Sequence, residues 1–107
     1  MSVTYQQQTA RLDELFDVLS NRTRRRILTI VARADGELRP VDLKPADEPA
    51  TKFFTELYHK HLPRLEEAEY VEWDSEAEVI ARGPRFDAIE PVLEALARED
   101  DLPVEWP

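Results

Sequence analysis

The chain has 107 residues, of which 42% are hydrophobic and none is cysteine. That length suits one domain with a small core, and the missing thiols exclude a disulfide framework, a Cys-ligated zinc site and a thiol nucleophile. The formal charge is −9 and unevenly placed, with six basic and four acidic side chains over residues 1–36 but four and fourteen over residues 64–107. Three lysines against eleven arginines and fourteen glutamates fit a halophilic surface adapted to molar salt, with an ordinary acidic protein as the alternative. No apolar run approaches the roughly 20 residues that span a bilayer, and the polar start Ser2–Thr9 does not read as a signal peptide, so a cytoplasmic protein is expected.

Leu12, Leu15, Phe16 and Leu19 recur at helical spacing and predict a first helix, preceded by a flexible segment over residues 1–10. Ser20 and Asn21 are cap-competent and open a second helix, on which Arg24, Ile27, Leu28, Val31 and Ala34 share a face. Asp35-Gly36 is the expected stop, with Gly36 supplying a left-handed residue. Glu37-Leu38-Arg39 reads as a short edge strand closed by Pro40. Val41-Asp42-Leu43 has room for about one helical turn before Pro45 and Pro49.

Pro49 suits the first position of a long helix whose apolar stripe is Phe54, Leu57, Tyr58, His61, Leu62, Leu65 and Ala68. Pro63 lies inside that stripe and removes the hydrogen bond to the His59 carbonyl, which predicts a kink and not a break, because Leu65 and Ala68 stay in phase. Tyr70–Asp74 and Glu78–Arg82, joined through Ser75-Glu76-Ala77, predict a β-hairpin ended by Gly83-Pro84. A last helix follows, with Pro91 in its first turn and Val92, Leu93, Leu96 and Ala97 on its buried side. Residues 100–107 form an acidic tail whose Val104 and Trp106 are expected to pack back.

Helix, helix, short strand, broken turn, long helix, hairpin, helix is the order of a winged helix-turn-helix. The run Leu15-Phe16-Asp17-Val18-Leu19-Ser20-Asn21-Arg22-Thr23-Arg24-Arg25-Arg26-Ile27-Leu28 resembles the start of the second helix in ArsR-like winged-helix transcription regulators. The run from Leu57 to Ala68, followed by Tyr70-Val71-Glu72, resembles their recognition helix and first wing strand. Its Tyr-His-x-His-Leu-Pro-x-Leu-Glu form is similar to a group of small haloarchaeal proteins of that superfamily, mostly of unassigned function. The resemblance covers residues 12–82. It implies an α+β, mainly α, single winged helix-turn-helix domain over residues 11–99, with a two-stranded wing and flanking helices. It also implies DNA binding as a homodimer through the first and last helices, here Leu12, Phe16, Val92, Leu93 and Leu96. Three features depart from the family pattern. The bracing helix is cut down by Pro40, Pro45 and Pro49. The wing carries Glu72, Asp74, Glu76 and Glu78 where a DNA-gripping wing would carry Arg or Lys. Glu69 replaces the usual glycine before the wing, which predicts a left-handed backbone there.

Arg22, Arg25 and Arg26 at a helix start are candidate phosphate contacts, which position a protein on a duplex without reading sequence. The alternative is that Arg24 and a neighbour pair with Asp13, Asp17 or the wing acids. On the long helix, Lys52, Thr55, His59 and Lys60 fall away from the apolar stripe and are the candidates for base reading in the major groove, with Thr51 and Arg64 on phosphates. A merely solvated helix face is the other reading. His59 and His61 lie about 200° apart around a helix and do not face each other. Glu56 and His59 lack a third ligand, so no metal and no cofactor is expected, and His61 is assigned to the core or its edge. No phosphate loop, nucleophile motif or acid–base pair stands out, so no catalytic residue is assigned and an enzyme is not expected. The expected function is a DNA-binding transcriptional regulator acting on double-stranded DNA. The alternative is a winged-helix module for protein–protein interaction that has lost DNA reading.

Overall fold

The computed structural model describes residues 5–100 and 106–107, with side-chain surroundings from residue 6 onward. Its elements are α1 (Tyr5–Leu19), α2 (Arg22–Arg33), a 3-10 turn (Pro40–Leu43), α3 (Ala50–Glu56), a π-turn (Leu57–His61), α4 (Leu62–Glu67), β1 (Val71–Asp74), β2 (Val79–Arg82) and α5 (Phe86–Arg98). The architecture is α+β, mainly α, with a two-stranded antiparallel hairpin in a winged-helix layout. No helix among the described residues is long and apolar enough to cross a membrane.

Helix α1 starts seven residues before Leu12, so from Tyr5 the expected flexible segment is helical; residues 1–4 lie outside the described residues. Asn21 caps α2 as its sequence predicts, its side-chain oxygen accepting from the Thr23 and Arg24 amides. The end of α2 differs from expectation. Gly36 does not take a left-handed conformation, because Ala34 already leaves the helix in an extended one. Ala34 N–H donates to the carbonyls of Ile30 and Val31, and Arg82 donates to that of Ala32 at 2.9 Å. Three of the four last carbonyls of the helix are thereby satisfied without a glycine. The chain then bends at Asp35-Gly36 and reaches Leu38, which exchanges two backbone bonds with Ile80 (2.9 and 2.7 Å) and lays a one-residue third strand on the wing.

The bracing helix is reduced to the 3-10 turn, in which Asp42 accepts from the Arg39 amide at 2.8 Å. Leu43 from this turn is fully buried, and Arg26 donates to its carbonyl. Pro49 is the residue just before α3, one position earlier than expected.

From Ala50 to Glu67 the backbone stays helical, but Pro63 is accommodated by a π-turn and not by a kink alone. Proline has no N–H for the His59 carbonyl, and its ring would press on that carbonyl in a regular helix. One extra residue in the preceding turn opens the backbone there, and Leu62 N–H bonds to Leu57 O, five residues back. The buried side of the run is Phe53, Leu57, His61, Leu62, Leu65 and Ala68. Phe53 therefore takes the core position expected of Phe54, while Phe54 is half-buried and Tyr58 exposed.

The hairpin pairs Val71 with Arg82, Glu72 with Ala81, Trp73 with Ile80 and Asp74 with Val79. Helix α5 is continuous, with Pro91 in its interior and not in its first turn. Phe86, Ile89 and Leu93 form its buried face, while Ala97, expected there, is exposed. Trp106 packs against the core, with the Arg25 guanidinium 6.0 Å from its ring, and Val104 lies outside the described residues.

The base of the wing is the tightest point of the backbone. Glu69 adopts φ 65°, as its replacement of glycine predicts, and its carbonyl accepts from the Arg85 amide at 2.8 Å. Gly83 passes directly over this turn: a Cβ on it would collide with the Glu69 carbonyl and lie 2.8 Å from Val71 N. Gly83→Ala is therefore expected to destabilise the fold by about 2 kcal/mol or more, since the obstacle is backbone and cannot move aside. Glu69→Gly should stabilise it by up to about 1 kcal/mol by releasing the left-handed strain. Urea midpoints of the two variants must move in opposite directions; a shift of the same sign would show that the turn is not held as described.

Candidate nucleic-acid interface

The residues proposed to read bases share one exposed surface. Lys52 and Thr55 on α3 and His59 and Lys60 in the π-turn are all exposed, as is Thr51. None of their side chains makes a hydrogen bond or ion pair to another described residue. They project away from Phe53, Leu57 and His61, which anchor the same stretch of backbone in the core.

The expected phosphate contacts divide. Arg22 stays exposed at the first turn of α2 and shares a shallow groove with Arg26, Asp47, Glu48 and Lys52. Arg25, Arg26 and Arg64 are instead engaged inside the chain. Arg25 donates to the Leu19 carbonyl at 2.7 Å, and Arg26 holds the Leu43 carbonyl. Arg64 pairs with Asp17 at 2.6 Å and with Glu67 at 3.6 Å. The reason is geometric. Helix α1 ends against α2, and its last carbonyls need donors. Arg24, buried, supplies two bonds, to Val18 O at 3.0 Å and Asp17 O at 2.9 Å. Arg24 thus bonds carbonyl oxygens where a carboxylate partner was the alternative expected from sequence.

Of the residues expected at a dimer interface, Leu12 and Phe16 are 53% and 62% exposed, one helical turn apart on α1. Val92 and Leu96 are half-buried on α5, and Leu93 is not available, because it faces inward with Phe86 and Ile89.

His61 is in the core, 1% exposed, and its Nδ1 has no hydrogen-bond partner among the described residues. No group of three or more His, Asp or Glu that could hold a metal occurs among the described residues. Desolvation, reinforced by the positive charges of Arg24 and Lys60, pushes the His61 pKa from 6.5 down to about 4.

Three aromatic side chains escaped the sequence reading as a group. Phe54 stacks on Tyr58 with centroids 6.1 Å apart, and Tyr58 stacks on Trp73 of the wing at 5.8 Å. Phe53 meets Phe54 edge-on at 5.3 Å and ties this ladder to the core. Burial, assisted by the carboxylate of Glu78, raises the Tyr58 pKa. The i, i+4 spacing of Phe54 and Tyr58 was the available signal, but it was absorbed into the core stripe. Trp73 joins only through the fold.

A family model described as a domain of unknown function (DUF7344) matches residues 16–81, well over half of the chain. A search of the curated proteins and of the solved structures returns no match.

The buried histidine gives a direct check on this arrangement. Between pH 6.5 and about 4 the unfolded chain binds a proton at His61 that the folded chain refuses. Stability should therefore fall as pH drops through that window, by on the order of 3 kcal/mol, and level off below it. Urea unfolding of wild type and His61→Leu at pH 7 and pH 4 isolates this contribution from that of the carboxylates. Parallel pH dependence in the two proteins would mean that His61 titrates normally.

Proposed function

The chain belongs to the DUF7344 family, and we propose that it is a DNA-binding transcriptional regulator of the winged-helix kind, similar to the ArsR-like proteins and without enzymatic activity. The observation that carries this reading is the surface of Lys52, Thr55, His59 and Lys60. These are four exposed side chains with hydrogen-bonding groups, uncommitted among the described residues and mounted on a helical run that the core holds rigidly. A helix presented in this way fits the major groove, where side chains meet base edges. Arg22 and Thr51 are the phosphate contacts most consistent with the fold, because Arg25, Arg26 and Arg64 already serve internal partners.

The regulator acts as a homodimer on double-stranded DNA. Leu12 and Phe16 supply an apolar stripe on α1 that one copy leaves open, and Val92 and Leu96 are the half-buried apolar residues that α5 would add. Two copies would then address half-sites about one helical turn of DNA apart.

A second reading, a module for protein–protein interaction, draws on the wing. Glu72, Asp74, Glu76 and Glu78 are all exposed there, and carboxylates near phosphates cost affinity.

Fluorescence anisotropy on the protein's own upstream DNA, compared with scrambled DNA over a series of KCl concentrations, tests the first reading. Lys52→Ala with Lys60→Ala should weaken specific binding at least about tenfold and erase most of the preference over scrambled DNA, whereas Arg22→Ala, at a phosphate, should weaken binding to both DNAs and lower the slope of log K against log salt by about one. Arg26→Ala should lower the unfolding midpoint while leaving that slope nearly unchanged. Equal affinity for both DNAs would remove the regulator reading.

A further inference from the structure

The ladder of Phe54, Tyr58 and Trp73 lies on the flank of the helical run that faces the wing, about 100° around from Thr55 and His59. It is open to solvent at its middle rung, Tyr58 being 38% exposed, and it continues into Val41, which is 64% exposed. Phe54, Tyr58, Val41, Pro40, Arg39 and Glu78 line a shallow groove. Two carboxylates stand at the Trp73 and Tyr58 end. Glu66 accepts from the Trp73 amide at 3.3 Å, and Glu78 lies close enough to Tyr58 to perturb it. Glu78 also holds φ 55°, a backbone conformation that favours glycine, yet the position carries a carboxylate.

We propose that this ladder docks a segment of a partner protein in which an arginine stands beside an aliphatic side chain. Stacked tyrosine and tryptophan faces are the surface over which a guanidinium lies best, and carboxylates at their edge complete its hydrogen bonds. The aliphatic neighbour lies over Phe54 and Val41, with Arg39 closing the far end. Stacked aromatics also receive nucleic-acid bases, but here Glu66 and Glu78 would face the phosphates, so the charge favours a cationic peptide. A second copy of this chain, with its acidic surface, is opposed for the same reason. The inference does not depend on DNA reading, which uses a different face of the run.

The test uses the full chain carrying Trp106→Phe, so that Trp73 is its one tryptophan and its emission reports on the ladder. The probe is a capped peptide of alternating arginine and leucine, compared with arginine–serine and glutamate–leucine peptides at matched ionic strength. The arginine–leucine peptide should give a saturable change in Trp73 emission, the arginine–serine peptide should bind at least about tenfold more weakly, and the glutamate–leucine peptide should not bind. Tyr58→Ala should weaken the first peptide about tenfold and Glu78→Gln several-fold, while Lys60→Ala leaves it unchanged. Tyr58→Leu keeps apolar bulk without the aromatic face; it should show the same loss and replaces Tyr58→Ala if circular dichroism shows that variant to be unfolded. Absence of binding, equal affinity for the two arginine peptides, or indifference to both Tyr58 substitutions overturns the proposal. So does tighter binding of a single-stranded oligonucleotide at Trp73, which would make the ladder a base-stacking surface.

Discussion

The joint between the first two helices is made by the guanidinium of Arg24. It is a buried positive charge whose bonds to the Asp17 and Val18 carbonyls close the end of α1 and set the angle at which α1 meets α2. Around it, Arg64 of α4 reaches back to the Asp17 carboxylate, and His61 of the π-turn is held neutral partly by the same positive charge. Three segments of the chain thus meet at one electrostatic node. Burying a charge is costly unless its hydrogen bonds are replaced, and here the replacements are carbonyls that a helix terminus would otherwise leave unsatisfied. The two costs offset one another at the same place.

A consequence is a division of labour among the charges. Arginines of the front half act as internal fasteners: Arg24 and Arg25 at the end of α1, and Arg26 at the shortened bracing turn. Arg82 and Arg85 do the same for the back half, closing α2 and bonding the Ala68 carbonyl beside the wing. Among the described residues, the exposed basic side chains are Lys52, Lys60 and six arginines (Arg11, Arg22, Arg33, Arg39, Arg82 and Arg98), set among a larger number of exposed carboxylates. A nucleic-acid face built on this chain is therefore poor in net charge and rich in hydrogen-bonding groups. Such a face gains less from phosphate attraction and depends more on fit to base edges, and it loses correspondingly less when salt rises.

The sequence revealed element types well and their joints less well. The order of helices, the hairpin and the Asn21 cap follow from periodicity and cap or turn signals carried by neighbouring residues, and the left-handed Glu69 follows from the resemblance, in which a glycine stands there. What stayed hidden depends on distant partners. Gly36 looked like a helix stop, but the pull of the Leu38–Ile80 bridge takes the chain out of α2 earlier. Phe53 and Phe54 exchange roles because Pro63 inserts a π-turn, and a periodicity of 3.6 residues cannot represent an added residue. Leu93 lies on the buried side of α5 as its spacing predicts, but Ala97 does not, and α5 begins at Phe86 with Pro91 inside it and not at its head. The exposed face of Lys52, Thr55, His59 and Lys60 was legible from polarity. The internal engagement of Arg25, Arg26 and Arg64 was not, since their acceptors are two backbone carbonyls and an aspartate on other elements.

The π-turn gives this surface an evolutionary adjustability that a regular helix lacks. It amounts to one surplus residue in a continuous helical run, so losing a single codon between Leu57 and His61, together with Pro63, would restore ordinary winding. Each residue added or removed turns the two halves of the run relative to one another by about 100°. With α4 held by Leu62 and Leu65 in the core, that rotation falls on α3, moving the core position from Phe53 to its neighbour Phe54 and bringing a different set of side chains to the outer face. Members of the family that differ in length at this one point would thus present differently aimed surfaces on an unchanged scaffold. Alignments that treat the segment as a uniform helix would compare the wrong positions on either side of it.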